Sequence, residues 1–217
     1  MKDPREINCE EIFRNAYEKR YTWDSGFKGY KGKFTYILNQ HVYEGEFLLS
    51  EDFKPEIKNI EDEKIKKSIA SQLFEVCIHR VKREFHSVHS GNNFNLLKSS
   101  ENGIEMIVYG RNEGDKYRVK DDCINMVYRK IHGTIIEIFV DEFLDTGLGF
   151  LSKKYSSQQI DPDTLKANTQ KLEYNDEFIK IGKKDDWILN SRAIKYLNEN
   201  KEKEIQKFVF EDLSLLK

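Results

Sequence analysis

The stretch DEKIKKSIASQLFEVCIHRVKREF, residues 62–85, decides how this chain folds. Ile65, Ile69, Ala70, Leu73, Val76, Cys77 and Val81 recur at helical spacing and share one broad apolar face. Glu61, Asp62 and Glu63 gather at its start and Arg80, Lys82 and Arg83 near its end, and both biases suit the helix dipole. The spacing predicts a helix from about Asp62 to Phe85, roughly 36 Å long at 1.5 Å per residue. A stripe of that length has to be buried against something, so the rest of the chain must supply a large apolar surface.

The flanking sequence supplies strands. A shorter helix is expected from Cys9 to Arg20, capped by Asn8 with Glu11 three residues on. From Tyr30 the period changes to two: Tyr30, Gly32, Phe34, Tyr36 and Leu38 alternate with Lys31, Lys33, Thr35 and Ile37. Asn39-Gln40 marks a turn, His41–Leu49 reads as the returning strand and Phe53–Ile57 as a third. After His86 the chain reads as strands at Asn92–Lys98, Gly103–Tyr109, Lys116–Lys120, Cys123–Ile131, Thr134–Phe143, Leu148–Gln158, Lys166–Ile181, Trp187–Leu197 and Glu204–Leu213. Turn chemistry separates them at Glu101-Asn-Gly103, Arg111-Asn-Glu-Gly114, His132-Gly133 and Asp161-Pro-Asp-Thr164. Short connections force neighbouring strands to run antiparallel. The fold expected is α+β: a single domain over residues 1–217, with a large, curved, half-barrel-like antiparallel meander. Its N-terminal helix and its long amphipathic helix lie on the concave face.

Composition narrows the setting. In 217 residues, 34% are charged and 12% aromatic, which excludes a disordered chain. The net charge of −2 excludes a global basic field for nucleic acid or an anionic membrane and leaves room only for a local patch. No signal-like apolar core follows the first residues and no run of apolar residues is long enough to span a membrane, so a cytoplasmic protein is expected. The three cysteines (Cys9, Cys77 and Cys123) are far apart and are expected to be reduced, buried thiols.

Several constellations carry candidate chemistry. Arg80 and Glu84 are spaced i,i+4 on the arc of the apolar face, so they read either as a polar anchor inside a ligand cavity or as two side chains overhanging the sheet edge. Trp23, Phe27 and Tyr30 form an aromatic group at the helix-to-sheet junction that could plug the sheet or stack on a ligand. His79, His86 and His89 lie close in sequence, but no carboxylate or thiolate stands at ligand spacing, so no metal is expected. Tyr128 to Gly133 reads as a polar hairpin whose Tyr128 and His132 are ligand-binding candidates. Asp145-Thr-Gly147 occurs once, whereas aspartic-protease chemistry needs two such aspartates sharing a proton. No catalytic set and no cofactor motif is found.

The combination Tyr21-Thr-Trp-Asp24, Phe27-x-Gly-Tyr30, Ile78-His-Arg-Val-Lys-Arg-x-Phe85, His132-Gly133 and Asp145-Thr-Gly-x-Gly149 resembles an uncharacterised family of cyanobacteria and plant plastids, a domain of unknown function of about this length. The resemblance covers nearly the whole chain and implies a photosynthetic host and a cytosolic setting, but it carries no activity. The element order, and the ending from Trp187-Ile-Leu to Glu204-Ile-Gln-Lys-Phe-Val-Phe-Glu-Asp-Leu213, is also similar to the half-barrel of lipoprotein carriers, which hold acyl chains between sheet and helices. The expected function is therefore a binding protein for a hydrophobic small molecule (a lipid, pigment or isoprenoid). Its contacts would be Arg80, Glu84, Trp23, Tyr30, His79, Tyr128 and His132. The alternatives are an assembly or scaffold factor that meets a protein partner in a photosynthetic complex, or an enzyme using His79, His132 or Asp145.

Overall fold

A computed structural model describes residues 7–198 and 200–217. The fold is α+β and built of antiparallel strands, as the alternating patterns require. The chain divides into two compact units, each assembled from two separated stretches.

The first unit takes the chain up to Tyr21 together with Arg83–Glu173. Helix α1 (Cys9–Glu18) is capped as expected: Asn8 Oδ1 accepts from the Glu11 N–H at 3.1 Å, and Asn8 Nδ2 donates to Glu11 Oε2. A short helix α3 (Phe85–His89) follows the second crossing of the chain. Six strands then run in the order β9-β8-β7-β6-β5-β4, with β4 at Asn92–Ser100, β5 at Gly103–Gly110, β6 at Lys116–Lys120, β7 at Cys123–Ile131, β8 at Thr134–Asp145 and β9 at Phe150–Ile160. Every second residue of β5 and β6 turns inward. Met106, Val108, Tyr117 and Val119 therefore meet Cys9, Phe13, Ala16 and Tyr17 of α1 and Phe85 of α3 in one core. Two register shifts between Val140 and Phe143 interrupt the β8–β9 ladder, and such bulges bend a strand and tighten its twist.

The second unit takes Thr22–Lys82 and Tyr174–Lys217. Strands β1 (Tyr30–Leu38) and β2 (His41–Leu49) form the hairpin read from the sequence, with Asn39 at φ 55° in its turn. With β3 (Pro55–Lys58), β10 (Leu172–Ile181), β11 (Asp186–Leu197) and β12 (Lys203–Leu215), the order is β3-β2-β1-β12-β11-β10. Helix α2 (Glu63–Arg80) starts at an Asp62 cap, whose Oδ1 accepts from the Lys64 and Ile65 N–H groups. It buries Ile65, Ile69, Leu73, Val76 and Cys77, and each large aliphatic side chain so buried contributes about 1.5–3 kcal/mol. Tyr36 of β1 hydrogen-bonds Ser68, and Tyr30 at the other end of β1 lies beside Cys77, so helix and strand run alongside each other in opposite directions.

The helix ends at Arg80, five residues earlier than the spacing predicts. Val81 turns extended and bridges Trp23 in parallel, while the Trp23 N–H donates to the Arg80 carbonyl at 2.8 Å. A tertiary hydrogen bond thus takes the place of another helical turn, and Glu84 becomes the residue that opens α3. Strand β10 also starts later than Lys166, because Ala167 and Thr169 bond back to Ile160, Gln158 and Gln159. The remaining strands fall within three residues of the sequence reading.

Candidate functional site

The polar interior beneath α2, within the second unit, is the candidate site. Arg192 projects from β11 and is 2% exposed. Its Nε and Nη2 donate to Asp176 Oδ1 and Oδ2 on β10 at 2.8 and 2.7 Å, a two-point clamp. Its Nη1 reaches up to α2, donating to Gln72 Oε1 at 3.0 Å and Glu75 Oε2 at 3.2 Å. The guanidinium also lies over the Tyr174 ring, 5.4 Å from its centroid. One side chain therefore ties the helix to the sheet through charge. The desolvation of Arg192 and Asp176 is offset only while this bonding is complete.

Tyr30 sits in the same interior with no exposed surface, and its hydroxyl has no hydrogen-bond partner among the described residues. Burial holds its ionisation well above the ordinary tyrosine range, against the pull of Arg80 and Arg192. Cys77 is pushed up to about 12 by burial, which makes it an unreactive thiol. All three cysteines are free and buried, as expected. Arg80 is 9% exposed, with its guanidinium 5.6 Å from the Phe178 ring centroid. Around this polar group stand aromatic walls: Trp23 stacks on Phe27 at 4.1 Å, Tyr30 meets Phe47 edge-on at 5.4 Å, and Phe47 meets Phe210 at 5.5 Å. The Trp23 indole N–H donates to the Trp187 carbonyl.

The seven residues singled out from the sequence fall in both units. Trp23, Tyr30, His79 and Arg80 belong to the second, and Glu84, Tyr128 and His132 to the first. Tyr30 stands with Trp23 and Arg80 in the buried interior, whereas His79 lies exposed on the outer side of α2. Glu84 is exposed, and the helical arc expected to carry it beside Arg80 stops before reaching it. Tyr128 is half-buried under the Lys116 ammonium, 4.9 Å away. His132 is exposed at φ 49° in the tight turn before Gly133. His132 lies in the turn before β8 and Asp145 ends that strand, whose rise sets them about 35 Å apart. Among the described residues no group of three or more His, Cys, Asp or Glu could hold a metal ion.

Arg192, Asp176 and Gln72 were missed in the sequence. The signal was there, since Arg192 falls on the inward parity of its strand with Ile194. Parity alone, however, does not say that Asp176, 16 residues earlier, stands opposite.

Residues 5–216 match a family whose description reads "Protein of unknown function". The chain belongs to the DUF3386 family. No curated protein matches it. Among solved structures, the DUF3386 chain is similar to a LolA superfamily protein from Nitrosomonas europaea at 7% identity and a TM-score of 0.34, over 97% of this chain and 94% of that one. It is also similar to a DUF1329 family protein from Desulfovibrio piger at 10% identity and a TM-score of 0.30, over 99% and 94%. Likenesses this distant carry no argument about what the DUF3386 chain binds. No helix among the described residues is long and apolar enough to cross a membrane, which says nothing of strands.

Proposed function

We propose that this DUF3386 protein is a non-enzymatic binding protein for an apolar or amphipathic molecule, of the lipid, pigment or isoprenoid kind, working in the cytosol of a photosynthetic cell. The observation that carries the reading is the Tyr30 hydroxyl: wholly buried, without a hydrogen-bond partner among the described residues, beneath an amphipathic helix and beside two guanidinium groups. Leaving a buried hydroxyl unsatisfied costs about 1–3 kcal/mol, so its retention calls for an acceptor that comes and goes. A carboxylate or carbonyl head group would accept from Tyr30 and face Arg80, while its chain lies against Trp23, Phe27 and Phe47. The helix face is closed in this state, with Ile69, Leu73 and Cys77 wholly buried, so entry requires α2 to lift. Arg192 is then the latch that recloses it. The single domain expected over residues 1–217 belongs to this proposal, because each unit draws on two stretches of chain and neither can be excised by one cut.

The test is native mass spectrometry of the full chain, before and after solvent extraction, with wild type and Tyr30→Phe side by side. The expected result is a bound small molecule in the wild type, a fall in its occupancy in Tyr30→Phe, and an empty variant that melts at or above the wild-type temperature. Equal occupancy in both proteins, or a wild type that is always empty and takes up no added fatty acid, overturns the reading.

A further inference from the structure

The face of the second unit's sheet that points away from α2 carries a patch the binding reading does not use. Phe34, Tyr36, Arg192, Ile194, Phe208 and Phe210 are buried on the α2 side, so the residues alternating with them point outward. Registers place Ala193, Lys207, Ile37 and Val42 in one row across four strands, with Lys195 opposite Ile205 in the next and Leu197 opposite Lys203 in the third. By strand spacing and rise the first row is about 14 Å across, and the three rows cover about 14 Å along β11. Val42 is 58% exposed, Ile205 50% and Leu197 45%, and Lys195, Lys203 and Lys207 are exposed beside them.

Two properties identify the occupant. The lysines are in no ion pair among the described residues, although the chain as a whole is slightly acidic. The described acids around it are Glu44 at the border, opposite Thr35, Glu173 and Glu177 on the outward parity of the next strand β10, and Glu202 in the adjoining turn, which accepts from Asn198. The three rows themselves hold three lysines and no acid, and such a patch takes an anionic counter-surface. The exposed apolar members are all aliphatic, and neither an arginine nor an aromatic ring stands among the exposed residues. That argues against a nucleic acid, which is gripped by stacking rings and guanidinium forks. Aliphatic side chains interleaved with lysines on a sheet face suit the boundary of an anionic bilayer: the branched chains enter below the head groups while the ammonium groups meet the phosphates.

We infer that this face is a docking surface for anionic membranes. The inference does not depend on the ligand beneath α2, though a carrier would have use for such a surface. The experiment is co-sedimentation of the full chain with vesicles of phosphatidylcholine alone and of phosphatidylcholine with phosphatidylglycerol. Wild type is set against a charge variant (Lys195→Glu, Lys203→Glu and Lys207→Glu) and an aliphatic variant (Val42→Ser, Leu197→Ser and Ile205→Ser). All six positions are exposed, so both variants are expected to keep the wild-type circular dichroism spectrum. Wild type is expected to bind only the anionic vesicles, and more weakly as salt rises. The charge variant should bind about 100-fold more weakly, from roughly fivefold per lysine, and the aliphatic variant at least about fivefold more weakly. Absence of wild-type binding to anionic vesicles overturns the inference. So does a charge variant that binds as wild type. An aliphatic variant that binds as wild type overturns it too, because attraction without insertion would not need this face.

Discussion

Each unit buries a tyrosine beside an acid–arginine pair, and the two arrangements end differently. In the first unit, Asp115 accepts from Arg129 Nε at 3.0 Å, from the Lys130 N–H at 3.1 Å and from the Tyr117 hydroxyl at 3.4 Å. Nothing is left over, and Arg129 keeps 35% of its side chain in water. In the second unit the Arg192–Asp176 pair is closed on itself and on α2, both partners are 3% exposed, and the neighbouring Tyr30 hydroxyl is left out. The first arrangement is a structural tie at a loop between strands. The second holds its charges deeper and keeps one donor uncommitted, which is what a binding interior requires and a structural tie does not.

The largest effect that would sharpen this contrast is Asp176→Ala. It strands a buried guanidinium and is expected to destabilise the protein by about 3–5 kcal/mol in urea unfolding. Asp115→Ala should cost roughly half as much, because Arg129 can turn to solvent. Equal losses would show that the two networks do not differ in depth. The tyrosines give the next step: Tyr117→Phe removes a donor that Asp115 uses and should cost about 1 kcal/mol, whereas Tyr30→Phe should be neutral or stabilising. A loss in Tyr30→Phe as large as in Tyr117→Phe would mean that the Tyr30 hydroxyl is satisfied after all.

His89, in the first unit, gives that region a pH signature. Burial, with Arg129, Arg20 and Arg111 nearby, lowers its pKa from 6.5 to about 4, and its Nδ1 faces Asn92 Nδ2 at 3.3 Å. The neutral ring is the folded form, so acid protonates the unfolded chain first. Its contribution is present above pH 6.5 and is lost as pH falls from there toward about 4. His89→Gln should flatten the pH dependence of the melting temperature over that window, and an unchanged slope would assign the acid sensitivity to other groups. The smallest effects are at the helix caps: Asn8→Ala on α1 and Asp62→Ala on α2 should each cost about 1 kcal/mol. A much larger loss at Asp62 would show that the α2 start carries more than its own two hydrogen bonds.

Local patterns were legible because their causes are local. Asn8 and Glu11 announce a cap by spacing alone, His132-Gly133 announces a turn with both residues at positive φ, and Tyr30 to Leu49 announces a hairpin by alternation. The end of α2 was not legible, since what stops it at Arg80 is a hydrogen bond from Trp23, 57 residues earlier. The same limit applies to the site. Trp23, Tyr30 and Arg80 could be picked by residue type, but Arg192 in the same interior is joined to α2 by bonds spanning 120 and 117 residues.

By itself, the sequence determined the α+β class, the antiparallel strands, the caps and turns, and the family. Each of these rests on periods and residue types that act within a few positions. The tertiary structure alone decided that Arg192 and Asp176 pair under α2, that the Tyr30 hydroxyl is left without an acceptor among the described residues, and that three lysines and three aliphatic residues share one outward face. Those outcomes depend on strand register and on how deeply each side chain is buried, and no spacing along the chain encodes either.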